Sequence, residues 1–120
     1  MAKILVIDDQ EGIRAALRAM LEGIGHEVSE ATNGREGLAS YRAHPADLVI
    51  TDIVMPEMNG LDLILELTRA FMNVKVIAMS GADGKDNNLQ AAKLLGAHQT
   101  LQKPFSVETV LSTVRYELAH

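Results

Sequence analysis

A chain of 120 residues with 48% hydrophobic content has material for one compact domain of ordinary size and too little for two. It contains no cysteine, which excludes disulfides, thiolate metal sites and a cysteine nucleophile, and agrees with a reducing compartment. A net charge of −5, with eleven basic residues scattered along the chain, argues against direct nucleic-acid binding, because affinity for a phosphate backbone needs clustered Lys and Arg.

Met1-Ala2-Lys3 leads at once into Ile4-Leu5-Val6-Ile7, an apolar run far too short for a signal peptide or a membrane span. A soluble cytoplasmic protein is therefore expected, and the run predicts a first strand over Ile4 to Asp8. Ile13, Ala16, Leu17, Met20, Leu21 and Ile24 then recur at helical spacing, giving a helix with one buried face that stops at Gly23 or Gly25. Glu27 to Glu30 predicts a second strand. Asn33 with Glu36 three residues later forms a capping pair for a helix that ends at His44-Pro45. Leu48 to Thr51 is the third strand, Asn59 caps a helix over Leu61 to Leu67, and Val74 to Met79 is the fourth strand. Gly96 stops another helix, Gln99 to Gln102 is the fifth strand, and Ser106 caps a last helix buried through Val107, Val110, Leu111, Val114 and Leu118.

Five strand-helix units of this kind specify an α/β fold with a parallel sheet. Strands 1, 3 and 4 read as continuously apolar, as strands buried on both faces do, whereas strands 2 and 5 carry the polar residues an edge tolerates. With right-handed crossovers this gives a doubly wound five-stranded parallel sheet of order 2-1-3-4-5, the flavodoxin-like arrangement, whose switch point falls between strands 1 and 3. Residues 1–120 are expected to form a single domain without repeat, linker or effector domain.

Ligands of such sheets sit beyond the carboxyl ends of the strands. The residues there are Asp8-Asp9 after strand 1, Asp52 after strand 3, Ser80 after strand 4 and Lys103 after strand 5. Three carboxylates at one mouth repel one another and raise their own pKa values unless a cation keeps them ionised. Mg²⁺ suits this oxygen-only inventory, since it accepts one or two carboxylates and keeps sites for water and phosphate oxygens. Asp52 then serves as an oxygen nucleophile on phosphorus, with the Lys103 ammonium spreading the charge of the transferred group. Ser80, followed by Gly81, can offer its hydroxyl to a phosphate oxygen.

Taken singly, each feature has a plainer reading. Asp8-Asp9 alone is a turn or a helix cap, Lys103 a solvated charge and Ser80 a loop residue. Their joint occurrence at four strand ends carries the functional reading. His26, His44, His98 and His120 show no ligand spacing, and Met55, Met58 and Met79 read as packing residues.

The segments Ile4-Leu5-Val6-Ile7-Asp8-Asp9, Asp52-Ile53-Val54-Met55-Pro56-Glu57-Met58-Asn59-Gly60, Ser80-Gly81-Ala82 and Lys103-Pro104-Phe105 together resemble the receiver domains of two-component response regulators, over nearly the whole chain. The resemblance implies that Asp52 is the phosphoacceptor, and that Asp8 and Asp9 hold Mg²⁺ with Asp52 and the backbone carbonyl of Val54. It implies further that Lys103 binds the phosphoryl group, that Ser80 is the switch hydroxyl, and that Lys103-Pro104 is a cis bond. The implied donor is a phosphohistidine on a sensor histidine kinase or a histidine phosphotransfer protein. The implied output is a changed binding surface, made by the helix after Ser80, strand 5 and the last helix, offered to an effector protein or domain. Either a monomer or a weak homodimer fits. Such a domain catalyses its own phosphorylation and dephosphorylation but is not a turnover enzyme.

Two positions depart from the family pattern. Thr100 stands three residues before Lys103, where an aromatic residue is common. The conformational change is accordingly expected to be smaller, or to travel through Gly81-Ala82-Asp83-Gly84 and the following helix. Val54 and Ala82 are apolar where polar residues would orient an attacking water, so a long-lived phosphoryl group is expected. Two other classes compete with this reading. A phosphatase with an aspartyl-phosphate intermediate would want an acid-base Asp at the place of Val54. A phosphorylation-independent interaction module would have no need to keep three carboxylates so close together.

Overall fold

The computed structural model describes residues 1–55, 57–81 and 86–120, apart from the side chains of residues 86–89. Among these residues, strands and helices alternate along the chain: β1 Lys3–Ile7, α1 Glu11–Glu22, β2 Glu27–Ala31, α2 Gly34–Ala43, β3 Leu48–Asp52, α3 Gly60–Ala70, β4 Val76–Ser80, α4 Asp86–Leu95, β5 Gln99–Gln102 and α5 Val107–Ala119. The strands form one parallel sheet of order β2-β1-β3-β4-β5, as the apolar and polar strand compositions require. Residues 56 and 82–85 lie outside the described residues, and with them Pro56 of the second motif, most of the loop expected to carry the conformational change, and the position Ala82 expected to gate water.

Side chains alternate between the two sheet faces along each strand, and this divides the core. Leu5, Ile7, Val49, Val76 and Ala78 face Leu38, Leu63, Ile64, Leu67 and Ala92, which places α2, α3 and α4 on one side. Ile4, Val6, Leu48, Ile50, Ile77, Met79 and Leu101 face Leu17, Leu21, Val110 and Val114, which places α1 and α5 on the other. β3 and β4 are buried at every position, and each fully buried Leu or Ile adds roughly 1.5–3 kcal/mol to the driving force.

The helix caps follow the sequence. Asn33 accepts from the Glu36 N–H at 2.8 Å while Glu36 accepts from the Thr32 N–H at 2.9 Å. Asn59 accepts from Asp62 N–H and Ser106 from Thr109 N–H. Gly25 and Gly96 have φ of 95° and 124°, the left-handed geometry glycine tolerates after a helix.

Strand boundaries shift by one or two residues from expectation. β4 starts at Val76 rather than Val74 and runs on to Ser80. β3 includes Asp52, and Asp8 falls just beyond β1, although its N–H still donates to the Ala31 carbonyl at 3.1 Å. Two residues of the predicted α1 stripe are not core: Ala16 is exposed and Ile24 is 39% exposed. α1 ends at Glu22, so Ile24 lies past the last turn and leaves the helical face. Val107, at the first position of α5, is also half exposed.

Candidate functional site

The parallel register delivers four strand ends to one rim of the sheet. Asp8 follows β1 with no exposed surface, Asp52 closes the neighbouring β3 at 7% exposure, and Ser80 closes β4 at 4%. Lys103 follows β5, and its backbone N–H donates to the Ser80 carbonyl at 2.8 Å. The Lys103-Pro104 bond is cis.

Asp8, Asp9 and Asp52 each present a carboxylate oxygen, and these atoms lie within 4.8 Å of one another. The Lys103 ammonium enters the same cluster, 2.8 Å from Asp8 Oδ2 and 3.5 Å from Asp52 Oδ1. Asp8 Oδ1 accepts from the Gln10 N–H at 2.9 Å. That contact serves the start of α1, since Gln10 itself offers no side-chain cap. One ammonium thus faces three carboxylates. Burial, together with the neighbouring Asp8 charge and against the pull of Lys103, pushes the Asp52 carboxyl up to about 6.

The cluster has room for more positive charge than the protein supplies. Its donors are all hard carboxylate oxygens, with no nitrogen or sulfur among them, which suits a hard dication and disfavours metals that seek imidazole or thiolate ligands. Val54, two residues past Asp52, is 68% exposed, and its apolar side chain carries no atom that could bind a cation.

Local packing fixes Asp52 from behind. The Thr51 hydroxyl donates to the Asp52 carbonyl at 2.9 Å, and the Gly60 N–H donates to the Ile53 carbonyl at 2.7 Å. A Cβ at Gly60 would come within 2.2 Å of the Asp52 carbonyl oxygen, a distance that real contacts do not allow. This is a close backbone approach that only glycine at the end of the second motif allows.

The five residues singled out at strand ends therefore arrive together, Asp8, Asp9, Asp52 and Lys103 in direct proximity and Ser80 on the adjoining strand end. One neighbour was not foreseen from the sequence. Arg14 of α1 donates through Nη1 to the Asp8 carbonyl at 2.7 Å. Its sequence signal was weak, because the contact depends on how the turn after β1 enters α1.

A family model described as response regulator receiver domain matches residues 4–115. The chain belongs to this receiver family. Receiver relatives include a chemotaxis protein CheY from Thermotoga maritima, 36% identical and covering 93% of both chains, and a protein PilH from Pseudomonas aeruginosa, 38% identical over 99% of both. A crystal structure of NtrX from Brucella abortus in complex with ATP superimposes with a TM-score of 0.92 at 28% identity over 98% of this chain. The receiver described here spans 27% of that NtrX chain. Receivers are signalling proteins of two-component systems, and the flavodoxin-like order read from strand composition is theirs. Among the described residues, no helix of this receiver is long and apolar enough to cross a membrane.

Proposed function

We propose that this receiver accepts a phosphoryl group on Asp52 from a phosphohistidine of a sensor histidine kinase or histidine phosphotransfer protein, with Mg²⁺ held by Asp8, Asp9, Asp52 and the Val54 carbonyl. The observation that carries the reading is the placement of Lys103 Nζ between Asp8 and Asp52, beside three carboxylates left short of positive charge.

An Asp52 carboxylate oxygen attacks phosphorus as the phosphorus–nitrogen bond to the donor imidazole breaks. An acyl phosphate forms and the imidazole leaves with its electron pair. A Mg²⁺ ion held by these residues would supply charge neutralisation, keeping Asp52 ionised and offsetting the charge on the phosphoryl oxygens. Lys103 turns its ammonium from the carboxylates to a phosphoryl oxygen, a reorientation for which its flexible stem suits it. The Ser80 hydroxyl donates to another. Burial of Asp8 and Asp52 limits water at the reacting atoms and strengthens each of these contacts.

Self-catalysed phosphorylation and dephosphorylation without turnover of a separate substrate follows from this assignment. The receiver, a monomer or a weak homodimer, offers its changed surface to an effector protein or domain in the cytoplasm. The net negative charge leaves DNA contact to another polypeptide.

The test is chemical trapping. After transfer from a phosphorylated kinase, borohydride reduction converts an aspartyl phosphate to homoserine, and peptide mass mapping locates it. Homoserine at position 52 is expected; homoserine at Asp8 or Asp9 instead, or none after label has been incorporated, refutes the assignment.

A further inference from the structure

We infer that Arg14 is a positioning residue for the acidic cluster: it holds the Asp8–Asp9 peptide so that the Asp9 carboxylate faces Asp8 and Asp52. The inference rests on the proposal that this cluster binds Mg²⁺.

Asp9 is the exposed member of the cluster. Nothing in its own burial fixes where its carboxylate points, so its direction follows the backbone of the turn between β1 and α1. That turn is gripped on every side. The Asp8 N–H donates to the Ala31 carbonyl at 3.1 Å, and the Asp8 side chain takes the Gln10 N–H on one oxygen and Lys103 on the other. The remaining group is the Asp8 carbonyl, which belongs to the same peptide plane as the Asp9 nitrogen. Among the described residues, Arg14 is the side chain that donates to it, at 2.7 Å.

Arg14 is itself fixed. Its side chain is 12% exposed, and its Nε donates to Glu30 Oε1 at 2.9 Å. The other Glu30 oxygen takes Arg18 Nε at 2.6 Å, and Arg18 Nη1 reaches Glu22 at 2.9 Å. Arg18 first, and Arg14 with it, hold the Glu30 carboxyl below its ordinary pKa. A planar guanidinium with donors in a fixed fork can join a carboxylate on β2 to a carbonyl at the site, whereas a lysine ammonium reaches one of the two. Groups that orient metal ligands commonly cost 10–100-fold in metal affinity when removed.

The experiment measures Mg²⁺ binding calorimetrically in the parent, Arg14→Ala, Arg14→Lys and Glu30→Gln. Acetyl phosphate reaction rates over a range of Mg²⁺ concentrations and thermal unfolding midpoints accompany it. Arg14→Ala is expected to raise the Mg²⁺ dissociation constant about tenfold and to shift the half-saturating Mg²⁺ concentration by the same factor. Its rate at saturating Mg²⁺ stays close to the parent's. Arg14→Lys recovers part of the affinity and Glu30→Gln is intermediate; if Arg14→Ala does not fold, these two variants decide.

A folded Arg14→Ala with parental affinity, or one with a lower saturating rate at unchanged affinity, overturns this inference alone. A parent that binds no Mg²⁺ overturns it together with the proposed function.

Discussion

The Lys103 ammonium lies nearer to Asp8 than to Asp52, 2.8 Å against 3.5 Å, so without a phosphoryl group it serves chiefly as counter-ion to a carboxylate with no exposed surface. Removing one partner of a buried pair leaves the other charge uncompensated, at a cost of several kcal/mol. Lys103→Met is expected to lower metal-free stability by about 2–4 kcal/mol, discounted for the open rim. Added Mg²⁺ should restore most of it. Urea unfolding with and without Mg²⁺ reads both, and an equal loss under the two conditions would contradict the pairing.

Asp52 should behave in the opposite way. Its carboxyl is raised from 3.8 to about 6 by burial first and then by Asp8, so the folded chain holds that proton more tightly than the unfolded chain does. Stability contributed by the neutral form is present below about pH 4 and lost as pH rises through about 6, by up to about 3 kcal/mol. Asp52→Asn cannot ionise and escapes that loss. The variant is expected to be more stable than the parent in EDTA, with a margin that grows from about pH 4.5 to about pH 7.5 and shrinks when Mg²⁺ is added. Thermal unfolding across that range checks it.

Much of this site was legible in the sequence because strand ends in a parallel sheet converge by topology alone. Once Ile4 to Ile7, Leu48 to Ile50 and Val76 to Met79 are read as central, Asp8, Asp52 and Ser80 must share a rim. Caps at Asn33, Asn59 and Ser106 were legible for a similar reason, since each contact spans only three residues. What escaped the reading depends on tertiary detail. Glu117 sits beside the apolar stripe of α5 yet is buried, because Gln99 of β5 donates to it at 3.0 Å. Ile24 fits the stripe of α1 but lies past the helix end, and Arg14 finds the Asp8 carbonyl through the path of a turn that no periodicity encodes.

Val54, two residues past Asp52, is 68% exposed and has no group to orient water toward the acyl phosphate. The phosphoryl group is therefore expected to be long-lived, and Val54→Asn to hasten its loss on the order of tenfold, below the 10²–10⁴ of full acid-base catalysis. Decay of the phosphorylated protein followed by intact mass after donor removal gives the rate, and an unchanged half-life would contradict the role of this position.

Thr100 pairs with Ala78 across β4 and β5 and is partly buried. It carries no ring to move into space vacated at Ser80. Amide shift changes on phosphorylation are expected to be smaller at residues 99–102 than at residues 81–89, as two-dimensional NMR would show. Changes of equal size in both segments would mean that β5 responds without an aromatic residue.

Phosphoryl transfer to Asp52 is tested most directly by intact mass after incubation with acetyl phosphate and Mg²⁺, with Asp52→Asn in parallel. A gain of one phosphate, about 80 Da, in the parent only and abolished by EDTA is the predicted result. An equal gain in Asp52→Asn, or one that survives EDTA, would contradict it.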